Sequence, residues 1–218
     1  MKDPLQHYWQ LRLQEVKERL IANNFAAVVV ETAAAAGRVV REDILPASAA
    51  RVVSYGGSMT LKHTGLHDFL NRADCGYEVI RPDEPEIPAG EKFERRRRAL
   101  LADVYCSGVN AVTEAGHLVN LDMIGNRVAA ITFGPKAVVL LVGRNKIVPD
   151  LEAAMLRIKN YAAPANAMRL DCRTPCVETA RCADCRSPGR ICNSWVITER
   201  SYPKGRITVV LINADIGL

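Results

Sequence analysis

The chain has 218 residues, of which 49% are hydrophobic and 24% are charged, and its formal net charge is +5. Such a composition is typical of a globular protein that buries a full core without help from a metal. The mild charge indicates no general surface for nucleic acid, and the short apolar runs exclude a membrane-spanning helix. No secretory leader is recognisable at the N-terminus, so we expect a cytoplasmic protein.

The first half of the chain predicts strands that alternate with helices. Asp3 followed by Pro4 predicts the start of a helix, and apolar residues recur at helical spacing from Trp9 to Leu20. The alternation continues to residue 102 and predicts βαβ units with a largely parallel sheet. In chain order, we predict strands at 25–30, 51–55 and 76–81 and helices at 32–43, 61–71 and 91–102.

The second half predicts a different organisation. Short apolar runs between residues 104 and 142 indicate a β-rich meander with little helix. A helix over 149–162, with Leu151, Met155, Ile158 and Ala162 on one face, and a last buried strand over 207–212 follow. We therefore expect residues 1–218 to form one α/β domain. Its mixed, largely parallel sheet carries flanking helices, and a cysteine-rich excursion interrupts it.

Five of the seven cysteines lie within twenty-one residues near the C-terminus, with the spacing C-x3-C-x5-C-x2-C-x6-C. In a reducing compartment such a cluster favours metal ligation, and an odd total pairs incompletely. A redox-active disulfide and inert thiols are the alternatives. We predict a metal-binding segment at 169–195. Its predicted ligands are Cys172, Cys176, Cys182 and Cys185, with Cys192 as a substitute.

The metal itself stays open between two kinds of site. Four thiolates hold either one zinc ion or a [4Fe–4S] cluster, and the spacing matches neither a common zinc ribbon nor the usual ferredoxin run. Basic residues around the segment offset the negative charge of either site. Because Pro175 and Pro188 disfavour a helix, we expect an irregular flap that is held by its metal.

A glycine turn between a predicted strand and a predicted helix is the first candidate for ligand binding. Gly56, Gly57, Ser58 and Thr60 lie in this turn, where backbone N–H groups point outward and an anion approaches closely. A tight turn with Ser58 as the N-cap of the next helix is the alternative interpretation.

Further polar residues lie among the β-rich segments. Glu114, in a glycine turn, is a candidate catalytic nucleophile or base, although a solvated turn residue is the commoner role. Asp122, Asn126 and Arg127 are further candidates for ligand binding, since an arginine makes bidentate contacts with a carboxylate or phosphate.

Two groups of motifs resemble the LUD domain family, the lactate-utilization proteins. The first comprises NAVTEAG, LVNLDMIGNRVAAITFGPK and VGRNKIV. The second comprises AAPANAMRL, TPC, CADC, SP and RICN, and is similar to a short, stand-alone subgroup of the family. The resemblance implies a fold similar to that of sugar isomerases and coenzyme A transferases. In such folds the first glycine turn often binds an anion, and a glutamate placed like Glu114 is the transferase nucleophile.

The resemblance also implies a part in oxidising lactate to pyruvate, beside other lactate-utilization or electron-transfer subunits. Our first hypothesis is a protein that binds a small carboxylate or phosphorylated metabolite and carries an iron–sulfur cluster, [4Fe–4S], for redox or electron transfer in organic-acid metabolism. The alternative is a non-redox transferase, isomerase or ligand sensor with a structural zinc ion. Whether the chain is catalytic stays open, as does a homo-oligomer that packs through the helix bearing Trp9.

Overall fold

The computed structural model describes residues 3–82 and 84–218, so residues 1, 2 and 83 lie outside this description. Within the described ranges, ten strands follow in chain order. They are β1 (Ala26–Val30), β2 (Val52–Tyr55), β3 (Glu78–Ile80), β4 (Val104–Gly108), β5 (Ala111–Thr113), β6 (Leu118–Asp122), β7 (Ala137–Gly143), β8 (Ile147–Val148), β9 (Ser194–Thr198) and β10 (Ile207–Ile212).

Helices connect these strands. They are α1 (Pro4–Ala22), α2 (Ala33–Val39), α3 (Leu45–Ala47), α4 (Met59–His63), α5 (Leu66–Asn71), α6 (Ala89–Arg98), α7 (Asn126–Thr132), α8 (Leu151–Arg157), α9 (Ala163–Arg169) and α10 (Pro175–Thr179). π-helical turns join α2 to α3 and α8 to α9, and 3-10 turns follow α6 and β7. Within the described ranges, no helix combines the length and apolar character that a bilayer crossing needs.

Six strands form a wholly parallel sheet in the order β1-β10-β7-β4-β2-β3. Successive side chains of β7 alternate between two cores, as the two-residue period of a strand requires. Leu140 packs with Leu13 and Leu20 of α1 on one face, whereas Leu141 packs with Leu45 and Leu61 on the other. Both faces are therefore covered, which explains why the strands of this sheet are apolar along their whole length.

A smaller sheet has the order β8-β5-β6-β9, with antiparallel pairs on both sides of β6. Val119 and Leu121 of this sheet pack against Ala154 of α8 and Ile158. The predicted α/β fold with a mixed, largely parallel arrangement of strands is confirmed. The prediction of one domain over 1–218 stays a prediction.

The predicted β-rich meander is wrong at residues 126–132, which form helix α7. The backbone at Gly125 is left-handed, with φ of +85°, and the Asp122 carboxylate accepts hydrogen bonds from the N–H groups of Arg127 and Val128. These contacts start a helix whose buried residues, among them Ile131, resemble a strand when they are taken as a simple apolar run.

Three further details differ from the predictions. The helix expected over 61–71 is divided at Gly65, where φ is +71°. Met155, expected on a buried face, is 39% exposed, because Ala154 of α8 occupies that face and the π-helical turn that follows changes the phase of the helix. Pro175 does not exclude a helix in the cysteine segment, since it is the first residue of α10, a position that tolerates proline.

Candidate ligand cleft and cysteine pocket

A cleft of about 820 Å³ opens at the carboxyl ends of β2 and β4, where Tyr55 and Gly108 line it. The strand that follows β2 in the chain, β3, lies on one side of this pair, whereas the next main-sheet strand after β4, β7, lies on the other. Such a reversal of connection direction leaves a crevice between the two strands. Crevices of this kind are where open α/β sheets bind ligands.

Most of the residues predicted to bind a ligand meet in this cleft, although they come from two distant parts of the chain. Those that line it are Gly57, Ser58, Asp122, Asn126 and Arg127. Thr60 is fully buried and lies behind the surface of the cleft. Gly56 packs against the end of β4, where a Cβ atom would lie 2.5 Å from Tyr105 Oη.

The glycine turn combines a structural role with its position on the cleft. Ser58 is the N-cap of α4, and its hydroxyl oxygen accepts a hydrogen bond of 3.2 Å from the N–H group of Leu61. The same hydroxyl lies over the end of β4, because a Cβ atom on Gly108 would be 2.7 Å from Ser58 Oγ. The tight-turn interpretation is therefore right about the cap, and the turn is also a wall of the cleft.

Arg127 lines the cleft, but its guanidinium group is occupied by the protein. It makes five hydrogen bonds of 2.8 to 3.4 Å, which matches the five N–H groups that it carries. The acceptors are Asp122 Oδ1, Asn120 Oδ1, Asn110 Oδ1 and the carbonyl oxygens of Gly108 and Leu121. Arg127 thus positions the ends of β4 and β6 relative to each other, and a bidentate contact with a ligand requires some of these bonds to break.

The charge of the cleft favours an anion. Among the described lining residues, five side chains are lysine or arginine and two are carboxylates. The cations are Lys62, Arg96, Arg127, Lys146 and Arg169, and the carboxylates are Glu84 and Asp122. Asp122 is held by Arg127 and by the start of α7, so it offsets a charge that is already paired. A small carboxylate or phosphate therefore enters a region of net positive potential.

Lys146 is the residue that sequence reasoning missed. It follows β7 in a 3-10 turn, is 3% exposed and donates hydrogen bonds to Thr60 Oγ1 at 2.9 Å and to the Val109 carbonyl at 3.1 Å. Burial, together with the charges of Arg157 and Arg127, lowers the pKa of Lys146 to about 7. The polar turn Arg144–Lys146 after an apolar strand is a sequence signal for a functional position, but nothing in the neighbouring sequence indicates that Lys146 is buried.

The clustered cysteines form a second, smaller pocket. Four of the five line a cavity of about 20 Å³ between α9 and the cysteine segment. They are Cys176, Cys182, Cys185 and Cys192. Cys172, a predicted ligand, is not part of this lining. Arg190 closes the loop by donating hydrogen bonds to the carbonyl oxygens of Cys185 at 2.7 Å and Cys192 at 2.9 Å.

The electrostatics of the thiols differ along the segment. Hydrogen bonds from Ser187 lower the pKa of Cys185, which favours the thiolate that binds metals. Burial raises the pKa of Cys172, and its neighbours Cys176 and Asp171 add to the shift. The pKa of Lys159 lies above its usual value. Burial acts to lower it, but a hydrogen bond to Asp184 and the charges of the nearby Cys182 and Cys192 outweigh that effect.

The donor set matches a four-thiolate group in type and number, because four free thiols face one cavity. Over residues 3–82 and 84–218, however, no three histidine, cysteine or acidic side chains are grouped closely enough to hold a metal ion. All seven cysteines lie in the described part of the chain, and each is a free thiol there.

The cleft and the cysteine pocket share a wall. Ile191 borders both, and helix α9 contributes to each from a different side. Pro164 and Ala167 face the cysteine pocket, whereas Asn166 and Arg169 face the cleft. The two spaces are therefore neighbours that one helix and one loop residue separate.

Glu114 lies outside both spaces. Its carboxylate forms an ion pair with Arg12 of α1, and its N–H group donates to the carbonyl oxygen of Val148. The structure does not bring Glu114 to the cleft with the other candidates. Its catalytic role stays a prediction.

Comparison with known proteins identifies one family. A family model described as the LUD domain matches residues 13–212. No curated protein matches the chain. Among solved structures, a DUF162 family protein from Deinococcus radiodurans is similar, with 17% sequence identity and a TM-score of 0.49 over 94% of this chain and 98% of that chain.

Proposed function

We propose, because this chain belongs to the LUD domain family of lactate-utilization-related proteins, that it binds a small carboxylate or phosphorylated metabolite beside an iron–sulfur cluster. The cleft at the ends of β2 and β4 takes the metabolite, and the four thiols that line the cysteine pocket draw together to hold the cluster. Together they serve redox or electron transfer in organic-acid metabolism. Other lactate-utilization or electron-transfer subunits are the partners that supply or accept the electrons.

The shared wall is the observation that carries this proposal. Ile191 lies between Arg190, which closes the cysteine loop, and Cys192, which lines the pocket, yet Ile191 also borders the cleft. A group held by the thiols and a ligand in the cleft are thus separated by one layer of side chains. Such closeness supports exchange of electrons between the cluster and a bound ligand.

Four residues are the proposed ligands of the cluster, namely Cys176, Cys182, Cys185 and Cys192, which together line the pocket. This set replaces Cys172 of the sequence prediction with Cys192. When bound, a [4Fe–4S] cluster supplies one-electron transfer at a potential that charge and hydrogen bonds set. Lys159 and Arg190 place positive charge beside the thiolates and offset part of theirs.

The residues of the cleft bind and orient the metabolite. The excess of lysine and arginine side chains attracts its anionic group, while Leu121 and Ile191 supply apolar contacts that limit the access of water. The Ser58 hydroxyl can donate a hydrogen bond to a ligand oxygen while its own oxygen caps α4, and Asn126, which also lines the cleft, offers an amide.

Anaerobic purification, followed by measurement of iron, zinc and acid-labile sulfide with a visible spectrum, tests the proposal. We expect about four irons and four sulfides per chain and a broad brown absorbance. Addition of lactate or pyruvate is then expected to change the electron paramagnetic resonance signal of the reduced protein. One zinc ion per chain without colour contradicts the redox proposal. That result favours the alternative, a non-redox transferase, isomerase or ligand sensor with a structural zinc ion.

A further inference from the structure

Lys146 is an almost fully buried amine that lines the cleft. It lies in the 3-10 turn Arg144–Lys146, directly after the carboxyl end of β7. Its Nζ atom donates to two neutral oxygens, Thr60 Oγ1 at 2.9 Å and the carbonyl of Val109 at 3.1 Å. An ammonium group carries three donors, so one is left for a ligand in the cleft.

The groups that face Lys146 do not neutralise it. Arg157 of α8 and Arg127 of α7 are both cations, and both act on its charge. Arg157 donates to the carbonyl oxygens of Asn145 and Asn110, whereas the carboxylate of Asp122 is bound to Arg127. Within the described part of the chain, no carboxylate forms an ion pair with Lys146.

The chain around residues 215–218 covers Lys146 from outside. Its acidic side chain, Asp215, is paired with Arg144, and Leu218 lines the cleft. A Cβ atom on Gly217 would lie 3.0 Å from Lys146 Nζ, so the segment at residues 216–218 packs directly on the amine. His63 of α4 accepts a hydrogen bond from the N–H group of Gly217. A buried ammonium without an anionic partner is unfavourable, and an anion from solution is the group that completes this site.

We propose that Lys146 binds the anionic group of the metabolite at the inner end of the cleft, and that the amine takes up a proton when the anion binds. The ligand class is a small monocarboxylate, such as a 2-hydroxy or 2-oxo acid, and this choice rests on the function proposed above. No covalent bond of the ligand is broken in the step; an N–H bond forms on Lys146 and an O–H bond of the solvent donor is broken. One proton moves from solvent to Lys146 Nζ, and the cleft gains a carboxylate that faces the new positive charge.

The pH dependence follows from the sign of the change. Burial and the two arginines hold the pKa of Lys146 at about 7 in the free protein, and a bound anion raises it. Below pH 7 the amine is already protonated, so affinity is highest and no proton is taken up. Above pH 7 each bound anion takes up close to one proton, and affinity falls about tenfold per pH unit until the pKa of the complex is passed.

Calorimetric titration of the full chain with pyruvate and with lactate measures these quantities. Titrations at pH 6 and pH 8, in two buffers of different ionisation enthalpy, count the protons that each binding event takes up. We expect nearly none at pH 6 and nearly one at pH 8. Lys146→Met, which keeps the length of the side chain but removes the amine, is expected to weaken binding about 10- to 100-fold at pH 6 and to abolish proton uptake.

Lys204→Met is the matched control, because Lys204 is exposed and lies in the turn before β10, outside the cleft. It removes the same charge and is expected to leave affinity and proton uptake unchanged. Lys146→Arg keeps the cation at every pH, so its affinity is expected to lose the decline above pH 7. Circular dichroism of all three variants reports whether the fold persists.

The outcomes separate this inference from the proposed function. If the wild-type chain binds pyruvate or lactate and Lys146→Met binds equally well with the same proton uptake, the inference is overturned and the carboxylate cleft stands. If no carboxylate binds the wild-type chain, the proposed ligand class fails, and the role of Lys146 fails with it. If Lys146→Met is unfolded, the wild-type chain and Lys146→Arg decide instead. The inference holds if the wild-type chain takes up a proton at pH 8 and Lys146→Arg does not, and it is overturned if both behave alike.

Discussion

Arg12 of α1 and Glu114, which follows β5, form an ion pair that ties the first helix to the smaller sheet. The two side chains are 32% and 33% exposed, so water screens the pair. We therefore expect Glu114→Gln to lower the free energy of unfolding by less than about 1 kcal/mol and to leave the affinity for a carboxylate unchanged. Urea denaturation and calorimetric titration measure the two effects.

Arg12→Gln removes the other half of the same ion pair and is the control for Glu114→Gln. We expect Arg12→Gln to lose slightly more stability than Glu114→Gln, because Arg12 also lies over the ring of Tyr8. A large loss of binding or turnover in Glu114→Gln alone would show that the carboxylate takes part in chemistry, as its Glu-x-Gly turn predicts.

The five hydrogen bonds of Arg127 predict a structural effect first. Lysine keeps the positive charge but has three donors in another geometry, so Arg127→Lys leaves acceptors on β4 and β6 unpaired. We expect the free energy of unfolding to fall by about 1–3 kcal/mol in urea denaturation. Arg97→Lys, on the exposed surface of α6, is the control and should change stability by less than about 0.5 kcal/mol.

A different result for Arg127→Lys is equally informative. If stability is unchanged and the affinity for a carboxylate falls, Arg127 contacts the ligand directly, as the sequence predicts. The structure favours the first outcome because the Arg127 side chain is 12% exposed and each nitrogen of its guanidinium group already has an acceptor.

The parallel sheet was predictable because each of its strands can be recognised from a short stretch of sequence. Strands that are buried on both faces are continuous apolar runs, and helices with caps such as Asp3 separate them. Helix α7 was not predictable in this way. It has seven residues, and its start depends on the left-handed Gly125 and on the carboxylate of Asp122, four residues before the first residue of the helix. Neither is part of the apolar pattern that suggested a strand.

The candidate site divides along the same line. The glycine turn after β2 follows from a strand–helix junction, which the sequence displays directly. The burial of Lys146 depends on Thr60, which is 86 residues away in the chain, and on Val109. Contacts between distant segments decide this burial, so the spacing of residues in the sequence does not contain it. The choice between Cys172 and Cys192 as a metal ligand stays a prediction.

Asp103 predicts how stability changes with pH. Its carboxylate accepts hydrogen bonds of 2.9 Å from the N–H groups of Arg51 and Val52 and forms an ion pair with Lys136. The ion pair with Lys136, followed by the two backbone hydrogen bonds, holds the pKa of Asp103 well below its usual range. This stabilisation is fully present above the unfolded pKa near 4 and is lost as the pH falls towards the folded pKa.

Asp103→Asn is therefore expected to lower the free energy of unfolding by about 1–3 kcal/mol at pH 7. The difference from the wild-type chain should shrink as the pH falls below 4, since protonation then removes the same charge. Urea denaturation between pH 3 and pH 7 measures both effects, with Asp68→Asn as an exposed control. If the difference in free energy of unfolding is constant across this range, the charge of Asp103 is not the source of its stabilisation.

The lining of the cysteine pocket predicts which thiols hold the metal. Cys192 borders the cavity and, like Trp195, packs against the core of the smaller sheet, whereas Cys172 is outside the lining and has a raised pKa. We expect Cys192→Ser to lose most of the bound iron and sulfide, because a [4Fe–4S] cluster takes a thiolate at each corner. Cys172→Ser is the matched control and should keep both, as iron, sulfide and visible absorbance measured after anaerobic purification will show. The reverse pattern, with metal lost only from Cys172→Ser, would restore the ligand set that the spacing predicts.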